Sequence, residues 1–172
     1  MANFDAICLW VLRQEDSTLS GKVVDLGDGG GLTRYGIAQT KHEALPPDFY
    51  VAAPAVALTY AKVIYKGEYW DRFLGDEIAS DDVASCLLSF AINDGTSREV
   101  KMLQQALDIT VDGVMGPQTL ARTNDANQAL LASTLRTEQG EFYQNLAKTD
   151  SVIARDLVGL MARAHRMYPS LA

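Results

Sequence analysis

Apolar residues recur at three- and four-residue intervals in several separate stretches of this chain, the mark of helices with one buried face. Phe4, Ile7, Cys8, Val11 and Leu12 form the first stripe, with Asn3 in place to cap it. The period fails over residues 16–38, where glycine accumulates. Lys22-Val23-Val24 and Tyr35-Gly36-Ile37 have the composition of short strands framing a turn there. Pro46-Pro47 punctuate the next stretch, and Pro54 suits the first turn of a helix running through Tyr65. Val83, Leu87, Leu88 and Phe90-Ala91 mark a further apolar helix, which Asn93-Asp94-Gly95 stops. Val100, Leu103 and Leu107 carry the period on to a turn, and helices follow around 127–147 and 151–167. The pattern predicts a mainly α protein with one small β-hairpin.

The break in the pattern is where the chemistry gathers. Glu15 closes the first helix, and Asp28-Gly29-Gly30-Gly31-Leu32-Thr33-Arg34-Tyr35-Gly36-Ile37 follows with a second carboxylate and a hydroxyl. Three consecutive glycines let the backbone bend sharply and approach a ligand with no Cβ in the way. Glycoside hydrolysis needs such a set: one carboxyl to protonate the leaving oxygen, and a second group to stabilise charge or direct water. Glu15 at a helix C-terminus meets the negative end of the helix dipole, which favours the protonated acid. A neighbouring Asp16 pushes the same way if the two side chains stay close. A phosphate cradle is the weaker account of the glycines, because no Lys-Ser/Thr pair follows and Asp28 repels phosphate.

This arrangement resembles the phage-type lysozymes and, more closely, glycoside hydrolase family 108, whose members cut bacterial peptidoglycan. The family carries a Glu at the end of its first helix and then Asp-x-Gly-Gly-x-Thr-x-x-Gly-Ile; Asp28, Gly30, Gly31, Thr33, Gly36 and Ile37 match that string without a gap. Two departures stand out. The family usually follows its Glu with Gly-Gly-Tyr, where this chain has Asp16-Ser17-Thr18, and the 12 residues between Glu15 and Asp28 are a few more than usual. The resemblance implies a lysozyme-like fold with Glu15 as general acid, Asp28 as its partner and Thr33 holding water. Asp25 is the alternative carboxylate, since the enlarged loop could carry it into the cleft.

A second string, Leu103-Gln104-Gln105-Ala106-Leu107 followed by Asp112-Gly113-Val114-Met115-Gly116-Pro117-Gln118-Thr119-Leu120, is similar to the peptidoglycan-binding motif in the C-terminal half of the same family. The resemblance divides the chain into a catalytic part over 1–92 and a helical peptidoglycan-binding part over 93–172, packed as one unit. Asp108, Thr110, Asp112 and Gly113 also fall at positions 1, 3, 5 and 6 of a calcium loop, but position 12 is Thr119 where a bidentate Glu is required. Gly159-Leu160-Met161-Ala162-Arg163 sits where the family tends to have Gly-Trp-x-x-Arg. Tyr35, Tyr69, Trp70 and Asn93 are the candidate substrate contacts. Tyr65, Tyr69 and Trp70 can serve equally as a stacking wall for sugars or as core.

Composition narrows the partners. With 172 residues, 48% hydrophobic and 22% charged, the chain can bury a sizeable core. A formal charge of −7 argues against nucleic acid and against long-range capture of an anionic cell wall. Cys8 and Cys86 read as two buried reduced thiols, and His42 and His165, the only histidines, have no metal-site spacing. No cofactor is implied. The first residues lack the basic and apolar regions of a signal peptide, and no stretch approaches the roughly 20 apolar residues of a membrane span.

The expected activity is muramidase: hydrolysis of the β-1,4 bond between N-acetylmuramic acid and N-acetylglucosamine in peptidoglycan glycan strands. A lytic transglycosylase, or an inactive wall-binding or assembly module on the same fold, are the alternatives. Cytoplasmic synthesis with delivery to the periplasm by a holin or secretion machinery is expected, as a phage endolysin or an antibacterial effector, for instance of type VI secretion. An effector would be matched by a periplasmic immunity protein.

Overall fold

The computed structural model describes residues 1–25, 27, 30–40, 42 and 45–169, leaving out the side chain of Glu15. Seven α-helices surround one continuous core among these residues: α1 (Phe4–Glu15), α2 (Pro54–Tyr65), α3 (Asp81–Asp94), α4 (Thr96–Ala106), α5 (Pro117–Asp125), α6 (Gln128–Leu146) and α7 (Ser151–Ala164). The helix ends follow local chemistry. Asn3 accepts a hydrogen bond from the Ala6 amide at 3.1 Å, Ser80 caps α3 through Val83, and Asp150 accepts from Val152 and Ile153 at the start of α7. Pro54 and Pro117 sit in the first turns of α2 and α5, where a missing N–H costs nothing.

α3 is the central element, with every residue from Val83 to Ala91 buried. A helix that is apolar all round must be covered all round, and α1, α4, α6 and α7 pack against it. α1 contributes Ile7, Cys8, Val11 and Leu12. Cys8 and Cys86 are both buried free thiols, and desolvation pushes each up to about 12. The two halves of the chain are joined by polar clips as well as by the core. Asn124 on α5 accepts from the Ala79 amide and donates to the Glu77 carbonyl, each at 2.8 Å, and Arg136 on α6 pairs with Asp82 on α3.

The expected small β element is present, with one strand more than a simple hairpin. Three short strands, β1 (Val24–Asp25), β2 (Leu32–Arg34) and β3 (Ile37–Ala38), form an antiparallel sheet in that order. Val24 pairs with Thr33, which pairs in turn with Ala38. Tyr35-Gly36, expected within a strand, are instead the two residues of the β2–β3 turn, with φ of 51° and 76°. Positive φ at both central positions matches a type I′ reversal, whose twist suits antiparallel strands. The last helix is also shorter than expected, stopping at Ala164 before His165.

The Asp-Gly string of the C-terminal half is organised by one amide. Gln104 Oε1 accepts from the amides of Asp112 and Gly113 at 3.0 and 2.8 Å, while its Nε2 donates to Asp112 Oδ1 at 2.7 Å. The same Nε2 reaches the Val114 carbonyl and the Thr119 hydroxyl, so the loop is locked to both α4 and α5. Deeper in this half, Glu99 is fully buried between α4 and α6; Gln139 Nε2 donates to its Oε1 at 3.2 Å and Oε2 has no partner. Burial raises the Glu99 pKa well above its ordinary 4.5, opposed by the Gln139 hydrogen bond. The folded protein therefore keeps a proton on Glu99 that the unfolded chain releases above pH 4.5, and stability falls as pH rises past that value. Glu99→Gln removes this loss. The variant should have a higher Tm than the parent at pH 7, by about 2–4 °C per kcal/mol recovered, and the gap should close towards pH 4. A gap that does not vary with pH would show that Glu99 is not held protonated.

Candidate functional site

The residue after α1, the sheet, Glu68 and Tyr69 of the π-helical turn Lys66–Trp70 and the end of α3 border two hollows that meet at Gly36. The first, about 440 Å³, is bordered by Asp16, Ser20, Lys22 and Thr33. The second, about 310 Å³, is bordered by His42, Glu68, Tyr69 and Asn93. A more open hollow of about 620 Å³ between Met1–Asp5 and α2 contains none of the candidate residues.

The floor of this groove is held by buried polar anchors. Arg34 is 3% exposed; its Nε donates to the Gly21 carbonyl at 2.8 Å and its Nη1 to the carbonyls of Phe49 and Ala52 at 2.7 and 2.8 Å. The Tyr35 hydroxyl lies 3.1 Å from the carbonyls of Leu19 and Pro54, and the Tyr35 carbonyl accepts from the Tyr65 hydroxyl at 2.7 Å. Tyr50 donates to the Ile37 carbonyl at 3.1 Å. Gly36, at the tip of the turn, is thereby fixed from both sides.

The rim beside α1 is shaped by Asp16. Its amide continues the helix to the Leu12 carbonyl, while its carboxylate accepts from the Gly21 amide at 2.8 Å, the Ser20 hydroxyl at 2.9 Å and the Thr18 hydroxyl at 3.0 Å. Desolvation works against ionisation here, but the Gly21, Ser20 and Thr18 hydrogen bonds outweigh it and bring the Asp16 pKa down to about 2. A permanent negative charge therefore stands next in sequence to Glu15.

The candidate residues fare differently. Glu15 is the last residue of α1, so its main chain reaches the rim that Asp16 lines. Its side chain and Asp28 lie outside the described residues. Thr33, half-buried at the middle of the sheet, borders the first hollow. Asp25 is exposed on β1, with its carboxylate turned to the Gly27 amide at 2.9 Å, and does not border either hollow. Tyr69 is half-buried and borders the second hollow, as does Asn93.

Two of the candidate contacts are buried. Trp70 is fully buried, in edge contact with Phe4 and Phe73, its Nε1 donating to Asp76 at 2.8 Å. A Cβ on Gly75 would come 2.3 Å from its ring, so the indole is enclosed and has no face for a sugar. Tyr35 is likewise buried, its hydroxyl anchoring the turn, and it is among the residues that border the first hollow.

Two residues of the second hollow, and one that braces it from α7, escaped the sequence reading. His42 Nδ1 lies 2.7 Å from Glu68 Oε2, and Arg163 of α7 donates to Asn93 Oδ1 at 2.6 Å. Arg163 was visible as the last residue of the Gly159–Arg163 string, but not its contact with Asn93. His42 and Glu68 stand 26 residues apart with no shared motif. The available hint was the run Lys66-Gly67-Glu68-Tyr69-Trp70 directly after the end of α2. There the chain makes a π-helical turn, a feature frequent at functional sites.

Comparison with known proteins fits this geometry. The family model described as Glycosyl hydrolase 108 matches residues 10–95, and a model described as Predicted Peptidoglycan domain matches 98–165. The solved structure titled "Structure of Brucella abortus SagA" is 24% identical, covering 95% of this chain and 96% of that one with a TM-score of 0.64. That likeness establishes a shared, mainly α, lysozyme-like fold. No curated protein matches.

The rim can be tested through its amides. In Asp16→Ala the Gly21 amide should exchange about tenfold faster, the scale of one lost hydrogen bond to a charged acceptor. Unchanged protection would mean that Arg34 and Tyr35 alone hold the 17–21 loop.

Proposed function

The chain belongs to the glycosyl hydrolase 108 family, followed by a peptidoglycan-binding region, and from that premise we propose that it is an N-acetylmuramidase. It cleaves the β-1,4 bond between N-acetylmuramic acid and N-acetylglucosamine. The observation that carries this reading is that Asp16, which directly follows Glu15 at the end of α1, and Thr33 of the sheet border one hollow.

In this mechanism the Glu15 carboxyl gives its proton to the glycosidic oxygen as the bond to the anomeric carbon breaks. An acid for this step must stay protonated near neutrality. The negative end of the α1 dipole favours that, and the Asp16 carboxylate, ionised down to about pH 2, adds to it if the two side chains stay close. Asp28 stabilises the positive charge at the anomeric carbon or takes the proton of the attacking water, and Thr33 orients that water. A hydroxyl and a second carboxylate favour addition of water over the internal cyclisation of a transglycosylase.

Digestion of purified peptidoglycan, with the fragments weighed by mass spectrometry, tests the reading. A reducing N-acetylmuramic end is expected; an anhydro end would make the protein a transglycosylase, and intact glycan a binder. Glu15→Gln should lower the rate at least about 100-fold, the usual scale of general-acid catalysis, with the fold intact. Asp28→Asn should cost more than Asp25→Asn, and the reverse order would exchange their roles. The substrate places the action beyond the cytoplasmic membrane, after release through a holin or injection by a secretion apparatus. Production in a Gram-negative cytoplasm should therefore be harmless, and production with an added signal peptide lytic. Equal toxicity of wild type and Glu15→Gln in the cytoplasm would sink the wall-hydrolase reading.

A further inference from the structure

The second hollow has polar equipment that the hydrolytic step does not use. The His42 side chain is 8% exposed and Glu68 34%, so at the groove wall the imidazole is withdrawn from solvent and the carboxylate half-exposed. Their 2.7 Å contact occupies His42 Nδ1 and Glu68 Oε2, leaving His42 Nε2 and Glu68 Oε1 for a ligand. Asn93 is fixed at both ends of its amide: Arg163 donates to its oxygen, and its nitrogen donates to the Ser89 carbonyl at 2.9 Å. One N–H of that amide remains for a ligand. Tyr69 completes the wall, tilted against Tyr65 with centroids 5.8 Å apart.

The chemistry of this set selects a class of ligand. One imidazole and one carboxylate are too few to hold a metal, and no group of three or more His, Cys, Asp or Glu is placed for one among the described residues. A carboxylate at the wall disfavours an anion. A neutral ring rich in hydroxyls satisfies every partner: its hydroxyls donate to Glu68 Oε1 and meet His42 Nε2, and its C–H face lies on Tyr69. An acetamido group adds a carbonyl for the free N–H of Asn93 and a methyl for Ile92, which borders the same hollow. About 310 Å³ accommodates one such unit.

We propose that the His42–Glu68 pair, with Tyr69 and Asn93, is a sugar subsite that holds one N-acetylated hexosamine of the glycan strand next to the bond being cut. This rests on the glycan-hydrolase reading and names a recognition site within it. The pair binds; it does not enter the bond-breaking step. Arg163 acts through Asn93 as a positioning residue, which gives the C-terminal helix a part in substrate recognition.

The two histidines of the chain make a clean test. In the full-length Glu15→Gln protein, tetra-N-acetylchitotetraose should shift the imidazole signals of His42 as it binds. Those of His165, beside Gly140 on α6, should stay put. In steady-state cleavage of soluble glycan strands, Glu68→Gln should raise KM about tenfold, the scale of one charge-assisted hydrogen bond, with kcat within about threefold and Tm retained. Saturating binding that leaves His42 unmoved would overturn the subsite while sparing the hydrolase reading. A fall in kcat at constant KM in Glu68→Gln would also overturn it, by moving Glu68 into the chemistry. Absence of both oligosaccharide binding and wild-type cleavage would overturn the hydrolase reading and the subsite with it.

Discussion

A buried guanidinium sets the terms for the rest of the groove. Arginine cannot shed its charge in a folded protein, so oxygens must converge on it when it is buried. The oxygens that meet Arg34 belong to Gly21, before the sheet, and to Phe49 and Ala52, after it. One side chain therefore fixes the sheet against both flanking loops. Tyr35 follows immediately and extends the anchor to Leu19 and Pro54, and Gly21 must lack a side chain because its Cβ would fall 2.5 Å from the Tyr35 hydroxyl. Three strands of two or three residues are too short to hold a shape by ladder hydrogen bonds alone. They are rigid because polar groups beneath them are satisfied in only one arrangement, and a preorganised floor is what a glycosidase needs.

Much of this was legible in the residues, and the reasons differ by element. Helix existence and limits came through well where a cap or a proline marks the end: Asn3, Pro54, Asn93-Asp94-Gly95 and Pro117 all act as their types suggest. The sheet was placed in the right segment, but its strands are Val24–Asp25, Leu32–Arg34 and Ile37–Ala38, with Tyr35-Gly36 at a turn. Tyr35 has a strand former's composition yet takes φ of 51°, because its phenol is anchored in the core; tertiary contact overrode local preference. Trp70 was ambiguous between wall and core because an aromatic residue beside acidic ones fits both. The close approach of Gly75 decides for core, and nothing in a linear string announces that approach. His42, Glu68 and Arg163 were invisible as a group because three distant segments bring them together.

The departure from Gly-Gly-Tyr after the acid also has a physical reading. Glycines there would let the chain leave the helix freely. Asp16-Ser17-Thr18 achieves a turn by another route, with the Asp16 carboxylate gathering the Thr18 and Ser20 hydroxyls and the Gly21 amide around itself. Conformational freedom is replaced by a specified hydrogen-bonded turn, which costs less ordering entropy when a ligand arrives. The longer loop is thus compatible with a rigid rim.

Charge explains why recognition has to lie in short-range contacts. A protein of net charge −7 approaching an anionic wall is repelled, not steered. That repulsion is screened beyond about 8–10 Å at ordinary ionic strength, so affinity must be generated at contact distance. Hydroxyls and amides lose little to screening, and aromatic faces lose none. The groove presents these groups: Ser20 and Thr33 on one side of Gly36, Tyr69 and Asn93 on the other, with Lys22 a cation at the rim. Ser20 is held by Asp16, Asn93 by Ser89 and Arg163, and Tyr69 lies against Tyr65, so binding requires little further ordering of these groups. Short-range complementarity is then sufficient for an acidic protein to grip an acidic polymer, provided that it follows the neutral sugar backbone and not the charges that the polymer carries.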